Sequence, residues 1–169
     1  FLGNLIHISK IKDKINLPIL CKDFFVDKFQ IPLAKSFGAD AILIILAAID
    51  EKTASEIYNL AEELNVNTIV EVHTQEETKK ALNFKNAIIG INNRNLKTLK
   101  TDIKTTLNLH KNLIGHTGPV ICESGINSEK QVEEIIKKTK INNFLIGESL
   151  LKDLDKNLSL LKRIVQINA

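Results

Sequence analysis

An α/β fold built on an all-parallel sheet is what this sequence predicts, and three observations carry the prediction. Apolar runs of strand length alternate with amphipathic stretches of helix length, six times at a period of about 25 residues. One run, Ala41-Ile-Leu-Ile-Ile-Leu, is continuously apolar, as a strand covered on both faces requires. The runs also end on polar residues or turns, at Lys22, Glu71, Asn92, Glu123 and Gly147. Regular alternation of this kind argues for parallel strands joined by right-handed crossovers. An open doubly wound sheet and part of an eight-stranded barrel both satisfy it. An open sheet gathers its site at one switch point, whereas a barrel offers chemistry at many strand ends, and this chain does the second. The expectation is therefore a (β/α)8 barrel of the TIM type, present here in part, with residues 1–169 as one domain.

The elements follow in order. Phe1-Leu-Gly-Asn-Leu opens abruptly, as if in the middle of a unit. Leu5, Ile8, Ile11 and Ile15 then recur at helical spacing among His7, Lys10, Lys12 and Lys14. A strand over 17–23 begins at Pro18, where a missing N–H is tolerated. A helix is expected from Asp27, a plausible N-cap, to Phe37, with Pro32 near its first turn and Gly38 as its stop. After strand 41–46 a helix over 51–64 places Ile57, Leu60, Ala61 and Leu64 on one face. Strand 67–73 precedes a short helix over 75–82, and strand 87–92 leads into Asn93-Arg94-Asn95 and a helix over 103–113. Strand 119–123 ends in Glu123-Ser124-Gly125, and Ser128 caps a helix to Lys138 with Gln131 three residues on. The last strand, 143–147, turns at Gly147 before a helix over 155–166.

Composition narrows the function classes. With 169 residues and 44% hydrophobic content the chain can bury a core of ordinary size. Its 23 basic and 20 acidic residues are scattered, and aromatics make up 5%, which argues against a nucleic-acid surface. The net charge of +3 suits an anionic small substrate as well as it suits a solvated lysine-rich surface. No apolar stretch has the roughly 20 residues of a membrane span, and no signal peptide opens the chain, so the cytoplasm is the expected location. Cys21 and Cys122 make no disulfide framework. Alternation sends each to the face opposite its charged neighbour, Lys22 or Glu123, and so toward packed helices. The four histidines, 7, 73, 110 and 116, share no ligand spacing, which argues against a metal site.

The strand ends carry the chemistry. An ammonium at Lys22 serves as a general acid, a Schiff-base amine, an anion anchor or the partner of an acid. Glu71, between two valines, is costly at that depth unless paired or working, and a Lys22–Glu71 couple is the natural proposal, with His73 pointing to the same side. Asn92, Asn93 and Arg94 crowd the next strand end, where Arg94 either forks onto a carboxylate or simply makes the loop polar. Glu123-Ser124-Gly125 and Gly147-Glu148-Ser149 are turns before helices. Backbone N–H groups in such turns bind phosphate, and the loops after the last two strands of a barrel often form that pocket.

In order and with fitting spacing, Leu17-Pro-Ile-Leu-Cys-Lys-Asp-Phe, Glu71-Val-His, Ile89-Gly-Ile-Asn-Asn-Arg-Asn-Leu, Cys122-Glu-Ser-Gly-Ile and Leu145-Ile-Gly-Glu-Ser-Leu resemble the indole-3-glycerol phosphate synthase family. The resemblance runs from about Phe1 to Ile164. It implies closure of an indole ring: 1-(2-carboxyphenylamino)-1-deoxyribulose 5-phosphate loses carbon dioxide and water, without metal or organic cofactor, in tryptophan biosynthesis. Lys22 matches the general acid that polarises the substrate carbonyl, and Glu71 the carboxylate that serves the proton transfers of dehydration. Asn92, Glu123 and Ser124 match residues that hold substrate and position that pair, with Arg94 beside them. Phe24 matches an aromatic near the anthranilate ring, and Gly125, Gly147 and Glu148 fall in the phosphate-binding turns. The expected partner is a phosphorylated small molecule, with neither nucleic acid nor membrane.

The family's first strand carries Glu-x-Lys and a Ser-Pro-Ser turn, after an extra N-terminal helix; these residues are absent from this chain, and Cys21 stands where arginine is common. Aligned to the family, residue 1 falls just after the second strand, so strands three to eight are expected, with two open edges. The chain alone is then expected to turn over poorly. The alternatives are a silent barrel fragment that self-associates through those edges or needs a complementing piece, and another phosphosugar barrel such as phosphoribosylanthranilate isomerase. The last expects a Cys and Asp acid–base pair at strand ends, where this chain's cysteines face the other way.

Overall fold

A computed structural model describes residues 3–152 and 154–167, so the abrupt start read at Phe1 lies outside the described residues. The chain runs α1 (Ile6–Lys12), β1 (Leu20–Cys21), α2 (Gln30–Ser36), β2 (Ala41–Ile45), α3 (Glu51–Glu63), β3 (Asn67–Val72) and α4 (Gln75–Ala81). It continues through β4 (Ile88–Asn92), α5 (Lys104–Leu109) with a 3-10 turn at His110–Leu113, β5 (Val120–Glu123), α6 (Glu129–Thr139), β6 (Asn143–Leu145), α7 (Glu148–Lys152) and α8 (Leu154–Ile167). The six strands form one sheet in the order β1-β2-β3-β4-β5-β6, and every pairing is parallel.

Alternation along the strands gives the sheet two apolar faces. Ile42, Ile44, Val70, Val72, Ile89, Ile91 and Cys122 join the helix-side core, packed with Ile57 and Ala61 of α3 and Val132 and Ile135 of α6. Each isoleucine or valine buried there contributes roughly 1.5–3 kcal/mol. The other face holds a second cluster of Leu43, Ile45 and Ile69, with Leu20, Ile88 and Ile121 against it. Both cysteines lie buried on the helix side, as strand alternation predicts.

The sheet curls. Lys22 follows β1 and Glu123 ends β5, four strands away, which in a flat sheet is about 19 Å. Their side chains nevertheless meet at 3.2 Å. Only curvature that turns the inner faces toward each other closes that gap, and this is the barrel geometry the polar strand ends call for.

Some boundaries differ from the sequence reading. β1 is only two residues long, and Lys22 lies just past it. Asp27 does not cap α2: it accepts the Phe29 N–H in a turn, and the helix starts three residues later, leaving Pro32 in its first turn. Gly38 ends that helix with φ +95°, where a side chain would be strained. α7, directly after Gly147, is a helix where the sequence suggested only a turn. Ser128 caps α6 by accepting the Gln131 N–H, as expected.

Asn93 shows how the loop after β4 is tied down. Its Oδ1 accepts from the Thr106 backbone N–H at 3.0 Å and the Thr106 hydroxyl at 2.9 Å, and its Nδ2 donates to the Ser124 carbonyl at 3.1 Å. One buried amide thus joins α5 to the β5 turn. Asn93→Ala leaves the Thr106 N–H unpaired in the interior, and an unfolding free energy lower by about 2–3 kcal/mol is expected from denaturant titration. A loss under about 0.5 kcal/mol would remove the amide from this role.

Candidate active site

Inward-facing polar residues converge at the C-terminal ends of the strands. Lys22 Nζ lies 3.2 Å from Glu71 Oε2 and 3.2 Å from Glu123 Oε2. The carboxylates are 2% and 1% exposed, while the lysine side chain is 46% exposed and opens to solvent on one side. Two buried carboxylates therefore share one accessible cation. Glu71 Oε1 faces His73 Nε2 at 3.2 Å, and Asn92 hydrogen-bonds the same carboxylate. Asn92 is oriented in turn by accepting the Arg94 backbone N–H at 2.9 Å.

The carboxylates sit one inward-facing position apart across the sheet. Glu71 pairs with Gly90 of β4, and Glu123 with Asn92 one inward position further along. Glu123 reaches the lysine across β4 because Gly90 has no side chain: a Cβ there would come within 1.9 Å of Glu123 Oε1. That oxygen has no hydrogen-bond partner among the described residues.

Electrostatics split the two acids. Burial pushes both up, but at Glu71 the His73 ring and the Lys22 ammonium outweigh it and hold the carboxyl down at about 2. At Glu123 burial wins over Lys22, the Glu71 charge adds to it, and the group rises to about 7. Burial also works against charge on Lys22, yet Glu123 and Glu71 raise its affinity for the proton overall. His73 resists burial in the same way: Glu71 on one side and Glu77 on the other lift it to about 9.

These shifts make stability depend on pH. His73 moves from an ordinary 6.5 up to about 9, so its stabilisation is complete below pH 6.5 and is lost as pH rises through 9. Glu123, raised from 4.5 to about 7, makes stability fall between those values, in the same direction. Glu71, lowered from 4.5, stabilises above pH 4.5 and loses that contribution only in strong acid. The thermal midpoint is expected to fall steadily from pH 5 to pH 9, and His73→Gln to flatten the part above pH 6.5. A midpoint that rises over this range contradicts these charge states.

A cavity of about 490 Å³ adjoins the cluster, lined by Arg94, Ser124, Gly125, Gly147, Glu148 and Lys152 among others. Ser124 and Gly125 have φ of +64° and +72°, both left-handed, and the two residues line this cavity. At the rim Arg94 Nη2 meets Glu148 Oε2 at 2.5 Å, and Lys152 meets the other Glu148 oxygen at 2.7 Å. Arg94 does meet a carboxylate, but with Nη2 alone: its Nη1 donates to the Leu99 carbonyl at 3.1 Å, so the contact with Glu148 is not a two-pronged fork.

The fold therefore brings Lys22, Glu71, Asn92 and Glu123 into one cluster and Ser124, Gly125, Gly147, Glu148 and Arg94 around one cavity. Phe24 lies on the loop after β1, 52% exposed, and lines neither this cavity nor the wider cleft beside His73. Sequence reasoning put His73 on the correct side but did not see its contacts with Glu71 and Glu77; the spacings 71/73 and 73/77 were the available signal. It also gave Gly90 no part. Among the described residues no group of three His, Cys, Asp or Glu side chains is placed to hold a metal ion, and no helix is long and apolar enough to cross a membrane.

Comparison with known proteins agrees with this geometry. In fold, the chain is similar to the crystal structure of 3-keto-L-gulonate-6-phosphate decarboxylase from Vibrio cholerae, with a TM-score of 0.69 at 16% identity over 96% of this chain and 79% of that one. In sequence it is 42% identical over 168 residues to the tryptophan biosynthesis protein TrpCF of Helicobacter pylori, which covers 99% of this chain and 36% of that protein. It is 40% identical over 152 residues to indole-3-glycerol phosphate synthase of Legionella pneumophila, covering 90% of this chain and 58% of that enzyme. The chain thus spans little more than half the length of such relatives, or less. The family model described as indole-3-glycerol phosphate synthase matches residues 1–162. With the barrel arc, the strand-end cluster and this match in agreement, the chain belongs to the indole-3-glycerol phosphate synthase family.

Proposed function

We propose that the protein carrying this chain converts 1-(2-carboxyphenylamino)-1-deoxyribulose 5-phosphate to indole-3-glycerol phosphate, releasing carbon dioxide and water. The observation that carries the reading is the Lys22 ammonium, held 3.2 Å from each of two buried carboxylates and open on its remaining side. Such a cation is fixed in place, stays protonated at neutral pH and has a face left for a substrate oxygen.

The residues divide the reaction between them. As the ring carbon bearing the carboxylate bonds to the ketone carbon, the carbonyl electron pair moves onto oxygen, which takes a proton from Lys22. Departure of carbon dioxide returns its bonding pair to the ring. Expulsion of the new hydroxyl as water needs a proton on that oxygen and loss of a proton from the adjacent methylene carbon bonded to the amine, whose C–H electron pair forms the new ring double bond. Glu71, beside the lysine, serves these transfers. Glu123 and Asn92 keep the lysine and Glu71 in place, and Ser124 faces the adjoining cavity. Burial and the Glu71 charge hold Glu123 near 7, so it can exchange a proton at working pH. The substrate phosphate is assigned to the turns at Gly125 and Gly147, with Arg94, Glu148 and Lys152 at the rim, and Phe24 to the anthranilate ring. No metal or organic cofactor is assigned, and the cytoplasm is the proposed location.

The test is to supply this substrate to the full-length protein and follow indole-3-glycerol phosphate by its fluorescence. Product that depends on Lys22 supports the proposal; absence of product sinks it. Self-association is a second arrangement, favoured by β1 and β6 each pairing on one side only among the described residues and by exposed Leu17, Val26 and Phe29 near β1. Sedimentation distinguishes it by a mass above one chain.

A further inference from the structure

The two oxygens of Glu71 face different partners: Oε2 turns to Lys22 and Oε1 to the His73 ring. The other ring nitrogen, Nδ1, lies 3.4 Å from Glu77 Oε2, and the same Glu77 oxygen accepts the His73 backbone N–H at 2.7 Å. Glu77 is anchored on the first turn of α4, where its N–H donates to the Thr74 hydroxyl at 3.2 Å. A continuous row, Glu77, His73, Glu71, Lys22, thus runs from a helix start to the reacting end of the sheet. The His73 side chain is 12% exposed, and the proposed reaction uses neither it nor Glu77.

A glutamate has three rotatable bonds, and nothing in its own strand fixes its last torsion. An imidazole has two, and this one has a carboxylate within ion-pair distance of each nitrogen, neither contact having hydrogen-bond geometry, so charge rather than a directed bond seats it between Glu71 and Glu77. We propose that His73, seated on Glu77, is a positioning residue that holds one oxygen of Glu71 so that the other stays aimed at the Lys22 ammonium. This rests on the reading of Lys22 and Glu71 as the working pair. Two other groups share this carboxylate: Asn92 hydrogen-bonds it from β4 while its own oxygen accepts the Arg94 N–H, and Glu123 competes with it for Lys22; His73 is the one that meets Oε1 at 3.2 Å from the Glu77 side. A positive ring behind Glu71 also keeps that carboxylate ionised, so the lysine proton remains on nitrogen until a substrate oxygen takes it.

The experiment compares His73→Phe, His73→Gln and Glu77→Gln in the full-length protein, with melting temperature, kcat and KM for each. A carbon-13 NMR titration of the Glu71 carboxyl is run on the unaltered protein and on His73→Phe, with the signal assigned through Glu71→Gln. His73→Phe is expected to lower kcat about 10- to 100-fold with KM within about threefold, since a small misplacement of a reacting group costs this much. His73→Gln places an amide nitrogen near Oε1 and should recover most of that loss. The Glu71 titration should move up by about one pH unit or more in His73→Phe. An unchanged kcat in His73→Phe, a glutamine variant no better than phenylalanine, or an unmoved Glu71 titration each overturns the proposal. Should the unaltered protein form no indole product, the functional reading fails on its own, and the carboxyl titration still decides whether His73 holds Glu71.

Discussion

Replacing Lys22 with alanine is expected to lower kcat by about a thousandfold while substrate dissociation changes less than about fivefold. A general acid acts on charge that develops only in the transition state, so its loss falls on turnover rather than on ground-state binding. The surroundings sharpen the expectation. Glu71 and Glu123 stay buried after the truncation with no cation between them, and two carboxylates so close cannot both ionise cheaply. Glu123, already lifted by burial, moves further up and remains protonated at neutral pH. Lys22→Arg should restore little, because a guanidinium is a poor proton donor at this pH. Rapid-mixing kinetics with separate binding measurements give both numbers. A variant whose turnover survives would take the acid role away from Lys22.

Gly90→Ala has the second-largest expected effect, and its two consequences differ in size. The new methyl would sit 1.9 Å from Glu123 Oε1 and 2.9 Å from its Cδ, with Ile69 Cγ2 at 3.2 Å. The atom in the way is the tip of a side chain, so the carboxylate can swing aside and the stability cost should be about 1–2 kcal/mol. The chemical cost is greater, because Glu123 is 1% exposed and its displacement removes one of the two anchors of Lys22. We expect kcat to fall about a hundredfold with the fold intact. Near-normal turnover would mean that Glu123 need not touch the lysine, whereas outright unfolding would mean that the carboxylate has nowhere to go.

Much of the fold was legible because strand and helix are local. The continuous apolar run at Ala41–Ile45 and the capping pattern at Ser128 depend on neighbours within a few residues, and both appear where local chemistry puts them. The strand-end polar residues were legible for a related reason: a charge that ends an apolar run has to meet something. What it meets is set by curvature. That Lys22 bridges β3 and β5 depends on how far the sheet curls, which no spacing along the chain encodes. Gly90 reads as a weak strand residue until the carboxylate of another strand is seen lying over it. Asn93 looked like one of three loop polar groups, yet alternation past Asn92 turns it to the helix side, where it ties α5 to the β5 turn. The early end of β1 has a local cause: Asp23 turns back to accept the Phe24 N–H and pulls the chain out of the sheet.

The measurement that bears most directly on the central claim is a crystal structure of the full-length protein with a substrate analogue whose ketone has been reduced to an alcohol. Lys22 Nζ should lie within hydrogen-bonding distance of that hydroxyl while keeping Glu71 and Glu123, and the phosphate should rest against the Gly125 and Gly147 turns. An analogue bound with its phosphate elsewhere, or with its hydroxyl away from Lys22, would contradict the role of Lys22 as the acid of this site.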